Sequence, residues 1–222
     1  MFKKGSLIRE LPALLVVAVL VSLVIKTFFV QFFFIPSGSM ENTLQIQDRV
    51  AVNRIPFLRD INRGDIVVFH DPANWLPPIT ESTDNKILSS IKEGLVAVGV
   101  LPNPAKQYLV KRVIGVPGDK VECCAKSGAL LVNGKETTEP YIFAGNKPSE
   151  TKFNVTVPDG KVWVMGDHRG ASADSRFHTN DSHKGMVPLK DVVGRAEFVI
   201  WPFNHVAFLP SGKELSALPV AK

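Results

Sequence analysis

The chain has 222 residues, a hydrophobic fraction of 45% and a net charge of +5, from 26 Lys and Arg against 21 Asp and Glu. This length favours one domain with an appendage, and the spread of the basic residues along the chain disfavours a nucleic-acid partner. The adjacent Cys123 and Cys124 exclude a cysteine metal site and a loop-closing disulfide framework. Free thiols, a vicinal disulfide and contacts to a partner chain all remain open for this pair.

An apolar segment follows the first ten residues. Residues 1–10 are net basic, and residues 11–25 form a nearly continuous apolar run. As a helix that run would extend only about 22 Å, less than the roughly 30 Å of a bilayer core. If residues 11–35 form one helical element, the span is long enough to cross with some tilt. We therefore predict a cytoplasmic N-terminus at 1–10 and an uncleaved, single-pass transmembrane anchor at 11–35, with a removed signal peptide as the alternative.

Two serines follow the apolar segment directly. An aromatic run ends in the sequence IPSGSM at 35–40, so that Ser37 and Ser39 lie on a turn marked by Pro36 and Gly38. A purely structural serine would be unusual at the edge of a membrane, whereas a nucleophile would be reasonable there. Turn or helix-capping roles for the two hydroxyls are the plainer alternative.

The rest of the chain is typical of a β-rich domain, with short alternating runs separated by turns. Strands are predicted at 49–55, 66–70, 108–116, 121–125, 129–132, 153–157, 161–165 and 192–201. Asn133-Gly134 indicates a type I′ turn, and Pro158-Asp159-Gly160 predicts a hairpin of the strands on either side. Residues 71–106 are expected to form a surface insertion with a weakly helical piece at 86–100.

The long polar loop at 166–185 is a candidate functional segment, because a structureless loop of this length inside a compact domain is usually functional or disordered. It contains three histidines that could hold a metal together with Asp174 and Asp181. One histidine could instead complete a Ser-His-Asp triad with Ser39. The spacing selects neither arrangement; the three histidines are His168, His178 and His183.

Lys111 is a second candidate base. On a strand it shares its face with Leu109 and Val113, and burial among them would lower its pKa from about 10.4. Only a neutral amine can accept a proton from a serine hydroxyl. Because Arg112 has equally apolar neighbours on the opposite face, alternation does not single out Lys111, and an ordinary edge-strand lysine remains the alternative.

Four motifs in chain order resemble the bacterial type I signal peptidases, membrane-anchored endopeptidases with a Ser-Lys dyad. They are IPSGSM at 35–40, GDIVVF at 64–69, KRVIGVPGD at 111–119 and GDHRGASADSR at 166–176. The resemblance implies a mainly β fold of coiled antiparallel sheets with an N-terminal transmembrane helix. It also implies a catalytic domain formed by 36–122 and 155–222, with a small inserted β subdomain at 123–154.

The resemblance also assigns roles position by position. Ser39 matches the nucleophile, Lys111 the general base and Ser37 the side-chain donor to the oxyanion. Ser172 matches a serine that hydrogen-bonds and orients the lysine, and Asp174 with Arg176 matches an ion pair that braces the loop. Further supporting residues match at Asp167 and Arg169. Positions lining the pockets for small substrate side chains match at Ile35, Met40, Leu44, Leu109 and Val110.

Two positions depart from the family pattern. Glu41-Asn42 stand where Met or Glu followed by Pro is usual, so a looser turn after the nucleophile is expected. His168 stands where Asn is common, a substitution that a loop is expected to tolerate.

The activity implied by the resemblance is removal of signal peptides from exported preproteins. Cleavage would occur at small-x-small sites on the outer face of the cytoplasmic membrane, through an acyl-enzyme and without a metal or organic cofactor. The partners would be preproteins and the lipid bilayer, with the secretion machinery as a further candidate. A catalytically silent scaffold that binds extended peptides and a peptidase dedicated to one substrate are the alternative functions.

Overall fold

A computed structural model describes residues 6–55, 61–77 and 107–218 of the chain. The weakly helical piece predicted at 86–100, and with it most of the predicted insertion at 71–106, lies outside these residues.

The described chain consists mainly of antiparallel β-strands after one long N-terminal helix. The helices are α1 (Ser6–Phe28) and α2 (Lys213–Ser216). The strands are β1 (Val30–Phe34), β2 (Arg49–Asn53), β3 (Ile66–His70), β4 (Tyr108–Gly115), β5 (Lys120–Cys123), β6 (Leu130–Val132), β7 (Lys135–Glu136), β8 (Phe153–Thr156), β9 (Lys161–Met165), β10 (Val187–Pro188), β11 (Val192–Trp201) and β12 (Ala207–Phe208). The mainly β class predicted from the alternation is therefore confirmed.

The larger of two sheets has eight strands in the order β1-β2-β11-β3-β4-β9-β10, with β12 added to β11. Strand β4 is the central element for the site, since Lys111 pairs with Val67 of β3 and Arg112 with Met165 of β9. From Lys111 to the end of β4 every residue is buried, so both faces of this part of the strand are covered. Two apolar clusters flank β3 and β4, one built around Val68 and the other around Phe69.

The predicted helical element at 11–35 was wrong in its C-terminal part. The helix ends at Phe28, and Val30–Phe34 form a strand that pairs with β2, with Phe33 opposite Val50. Aromatic residues fit a half-buried pleated strand well, and burial alternates accordingly, with Phe33 buried between exposed Phe32 and Phe34. Among the residues that the structure describes, no helix combines the length and apolarity that crossing a membrane requires.

The second sheet has four strands in the order β7-β6-β5-β8 and spans residues 120–156. The β6–β7 turn has positive φ at both Asn133 (52°) and Gly134 (76°), as a type I′ turn requires, so this prediction is confirmed. Cys123 and Cys124 form a vicinal disulfide at the end of β5.

The hairpin predicted around Pro158-Asp159-Gly160 was wrong. Both strands exist, but β8 pairs with β5 in the second sheet, whereas β9 pairs with β4 and β10 in the first. The turn therefore passes the chain from one sheet to the other. Trp163 of β9 is fully buried in the apolar cluster that the second sheet covers, which favours this pairing over a local hairpin.

Candidate active site

Residues 35–48, here called the serine turn, connect β1 to β2 and carry Ser39. The turn is closed at its base by two backbone bonds: the Ile35 N–H donates to the Asp48 carbonyl, and the Gln47 N–H donates to the Ile35 carbonyl, both at 2.9 Å. A single 3₁₀ turn spans Gly38–Met40. The Met40 and Leu44 side chains are buried in an apolar cluster, so the turn is fixed from below while Ser39 faces β4.

The Lys111 amine lies against the Ser39 hydroxyl, with Nζ 2.7 Å from Oγ. Nζ also donates to the Val110 carbonyl at 3.1 Å, and Lys111 is only 4% exposed. Burial lowers the Lys111 pKa from 10.5 to about 8; the Asp174 and Asp167 carboxylates oppose this shift, and the Arg176 guanidinium adds to it. A useful fraction of the amine is thus neutral near physiological pH, as a base for a serine hydroxyl must be.

Ser37 lies beside the nucleophile candidate. Its Oγ is 3.5 Å from Ser39 Oγ, the outer limit of a hydrogen bond. The Ser37 backbone is extended and its side chain makes no capping bond to the 3₁₀ turn. Its hydroxyl is therefore not committed to capping that turn.

The loop after β9 is folded around the Asp174 carboxylate. Arg176 donates to Asp174 through Nε and Nη2, both at 2.8 Å, and the Gly166 N–H donates to Asp174 at 2.9 Å. Arg176 also donates to the Arg169 carbonyl. The predicted Asp174–Arg176 pair is formed, fully buried, and holds the two ends of the 166–176 segment together.

Asp167 is joined to β4 and to the serine turn at once. Arg112 donates to its carboxylate through Nε at 2.8 Å and Nη2 at 2.7 Å, and Thr43 donates its hydroxyl to the same group. The Arg112 guanidinium also lies over the Tyr141 ring at 4.0 Å. Both charged partners are fully buried. Sequence reasoning assigned no role to Arg112 or Thr43. A charged side chain on each face of an otherwise apolar strand, Lys111 on one and Arg112 on the other, was a signal for Arg112.

Arg169 connects the loop to the segment between β7 and β8. Its guanidinium donates to both Glu139 oxygens, to the Pro148 carbonyl and to the Gly166 carbonyl. Sequence reasoning missed Glu139, because no local pattern marks a carboxylate whose partner lies 30 residues away.

Ser172 is adjacent to this network but does not make the predicted bond to Lys111. Its Oγ is buried and has no hydrogen-bond partner among the described residues. A side chain at Gly166 would overlap both Ser172 Oγ and the Ser39 carbonyl. Glycine at 166 therefore allows the loop to approach both the Ser39 backbone and Ser172 closely.

The five predicted pocket residues are divided between two apolar clusters. Ile35, Met40 and Leu44 share one cluster, against which Val110 is packed with part of its surface exposed. Leu109 lies in the other cluster, with Val67 and Phe69. The structure thus brings four of the five together.

The loop histidines are not arranged as a metal site or as a triad with Ser39. The His168 ring contacts Glu41, and the His178 ring stacks on Trp75 at 4.4 Å. Within residues 6–55, 61–77 and 107–218, no group of three or more His, Cys, Asp or Glu is placed to hold a metal ion. The side-chain partner of Ser39 with base character is Lys111.

Comparison with known proteins decides the family. The family model described as signal peptidase, peptidase S26, matches residues 8–201. The chain belongs to this family. The resemblance inferred from the four motifs is therefore confirmed.

Individual relatives of this S26 signal peptidase family carry the same description. A probable signal peptidase I of Mycobacterium leprae is 37% identical, over 90% of this chain and 78% of the relative. Signal peptidase I of Mycobacterium tuberculosis is 36% identical, over 90% of this chain and 74% of the relative. A solved signal peptidase I from Enterococcus faecalis is 24% identical, covers 62% of this chain and 97% of its own, and has a TM-score of 0.38.

Asn42 is tied in place, rather than loose, at the position where the family usually has Pro. Its φ is +85°, a left-handed conformation that Asn tolerates and that the proline ring, locked near −65°, does not allow. Its side-chain amide donates to the Tyr141 carbonyl at 3.1 Å. The serine turn is thereby attached to the segment that follows the second sheet's β7.

Asn42→Pro is expected to destabilise this protein, although Pro is usual in the family. Asn42→Gly keeps the φ and loses only the amide bond, a cost of about 1 kcal/mol. Asn42→Pro should lower the free energy of unfolding by about 1–3 kcal/mol more than Asn42→Gly does, because its φ is incompatible. Urea unfolding in detergent, followed by tryptophan fluorescence, measures both; equal stability of the two variants would contradict this account.

Lys111→Met should stabilise the protein relative to wild type in a pH-dependent way. The folded-state pKa is lowered to about 8 from 10.5, so the unfolded chain binds the proton more tightly. Burial of the amine therefore lowers the free energy of unfolding of the wild type by roughly 3 kcal/mol below pH 8, and this loss disappears as the pH rises to 10.5. The difference in unfolding free energy between Lys111→Met and wild type should therefore shrink from pH 7 to pH 10.5. A constant difference across this range would show that the buried amine is not the cause.

Proposed function

We propose that this protein is a membrane-anchored type I signal peptidase that removes signal peptides from exported preproteins, with Ser39 as nucleophile and Lys111 as general base. The chain is a serine endopeptidase of the S26 signal peptidase family. The observation that carries the residue assignment is the 2.7 Å contact between the buried Lys111 amine and the Ser39 hydroxyl.

The reaction is acyl transfer in two steps. Neutral Lys111 accepts the Ser39 hydroxyl proton while Oγ attacks the scissile carbonyl carbon, and the carbonyl oxygen becomes an oxyanion. The Ser37 hydroxyl donates to this oxyanion, a contribution of roughly 10²- to 10³-fold in rate. The Lys111 ammonium then protonates the leaving amine, which leaves the signal peptide esterified to Ser39. Neutral Lys111 next takes a proton from water, whose oxygen attacks the ester carbonyl. The Lys111 ammonium then returns the proton to Ser39 Oγ as the ester bond breaks and the signal peptide carboxylate is released.

The edge of β4 offers a place for an extended substrate. Residues 108–111 pair with β3 on one side, whereas β9 begins its pairing only at Arg112 on the other. The backbone groups of Leu109 and Val110 on that side have no described strand beside them. A cleavage segment added there as a strand would run past Lys111 toward Ser39.

Selectivity for small substrate side chains follows from the dense packing of the apolar cluster below the serine turn. Ile35, Met40 and Leu44 are each at most 2% exposed, so their side chains occupy the space below the turn. We expect any pocket between them and Val110 to be shallow and to accept only small side chains such as alanine. This agrees with small-x-small cleavage sites.

The anchor in this proposal is α1, with the catalytic domain on the extracytoplasmic side. Support comes from apolar side chains along the helix that remain 51–59% exposed in the isolated chain, an unfavourable state in water. These are Leu11, Leu14, Leu15, Val16, Val17, Val19, Leu20 and Val21. The orientation rests on the basic residues that precede them. Exposed Phe32 and Phe34 on β1 continue the apolar surface toward the serine turn.

Ser39→Ala and Lys111→Met are each expected to abolish cleavage of a preprotein with an Ala-x-Ala site. Loss of a nucleophile or its base costs on the order of 10⁴-fold or more in kcat. The assay uses full-length protein in detergent or lipid, with cleavage followed on gels and the new N-terminus sequenced. Lys147→Ala, in an exposed pair with Glu150, is the control and should cleave normally. Retained activity of Ser39→Ala would overturn the proposed function.

The pH dependence of kcat/KM should report the Lys111 amine. Because the neutral amine is the base, kcat/KM should fall about tenfold per pH unit below the Lys111 pKa of about 8 and level off above it. The measurement uses a peptide substrate without groups that titrate between pH 6 and 9. A flat profile over that range would argue against Lys111 as the base.

A further inference from the structure

His168 is attached to the serine turn at two points. Its backbone N–H donates to the Ser39 carbonyl at 3.1 Å, and its ring Nδ1 lies 3.0 Å from Glu41 Oε2. The first contact reaches the nucleophile residue itself, and the second reaches the residue that closes the 3₁₀ turn. His168 therefore holds both sides of Met40, the residue between these two attachment points.

The His168 ring is held in this orientation from behind. It stacks on Phe143, with ring centroids 4.2 Å apart and planes 16° from parallel. The Phe143 N–H donates to the Asp167 carbonyl at 3.0 Å, so the stacking partner is fixed to the residue that precedes His168. The Glu41 carboxyl lies across Gly38, where an added Cβ would approach Glu41 Cδ at 2.8 Å, so glycine at 38 leaves room for it.

The 3₁₀ turn that carries Ser39 needs such ties. It spans only Gly38–Met40, is closed by one backbone bond from Glu41 N–H to Gly38 O, and has no side-chain cap at Ser37. Single 3₁₀ turns have poorer hydrogen-bond geometry than an α-helix. A displacement of about 1 Å at a reacting group can cost about 10²-fold in rate.

We propose that Glu41 and His168 form a positioning pair that holds Ser39 Oγ at attacking distance through the 3₁₀ turn. Neither side chain touches Lys111; both act on Ser39 through the backbone. The inference rests on the proposed function, since it assigns these residues to the same reaction.

The test compares three single variants and one double variant in full-length protein, with the same Ala-x-Ala preprotein. His168→Phe keeps the backbone donor and the ring on Phe143 but removes Nδ1. Glu41→Ala removes the acceptor, and Glu41→Gln keeps one. His168→Phe and Glu41→Ala should each lower kcat about tenfold with KM within about twofold. The double variant His168→Phe/Glu41→Ala should be no slower than the slower single, and Glu41→Gln should stay within about threefold of wild type.

A matched control pair separates positioning from general stability. Lys147 and Glu150 form an ion pair 3.4 Å long on the exposed surface, and their alanine variants should leave kcat unchanged. Equal thermal midpoints of wild type and His168→Phe, together with the kcat loss, support positioning.

Three results would overturn the inference: unchanged kcat in both single variants, losses that multiply in the double variant, or a loss confined to KM. The proposed function is judged separately by Ser39→Ala. If wild type cleaves and Ser39→Ala does not, an unchanged kcat in His168→Phe and Glu41→Ala refutes only the positioning role.

Discussion

The burial of one amine beside one hydroxyl is the constraint on which the rest of the site depends. Lys111 is 4% exposed and within 2.7 Å of Ser39 Oγ. Removing water from the ammonium form costs free energy, and that same cost lowers the pKa into the range where the amine acts as a base. The burial that prepares Lys111 to act as a base therefore also lowers the stability of the folded protein.

Three buried ion pairs fix the segments that border the site. Arg112–Asp167 joins β4 to the loop after β9, and Thr43 of the serine turn donates to the same carboxylate. Asp174–Arg176 folds that loop, and Arg169–Glu139 attaches it to the segment after β7. Buried pairs add little net stability, but removing one partner is costly, because the other charge is left unpaired. Their contribution is to hold the loop and the turn in one arrangement around Lys111.

Much of the local structure could be predicted, because alternation and turn chemistry act over a few residues. The strand at 66–70 and the Asn133-Gly134 turn agree with the structure. Pairing could not be predicted in the same way: β8 and β9, though separated by one tight turn, belong to different sheets, and residues 30–34 leave the helix to pair with β2. Those outcomes depend on partners far along the chain and on which core buries Trp163.

The sequence by itself determined the family, the mainly β class and the identity of Ser39 and Lys111 as candidates, since these follow from short ordered motifs. Only the tertiary structure decided that Lys111, and not Arg112, faces Ser39, because the two alternate on one strand and differ only in what packs against each face. It also decided that Arg112 neutralises Asp167 and that Glu41 contacts His168. Each of these contacts joins residues distant in sequence, so chain folding, rather than any local pattern, brings them within bonding distance.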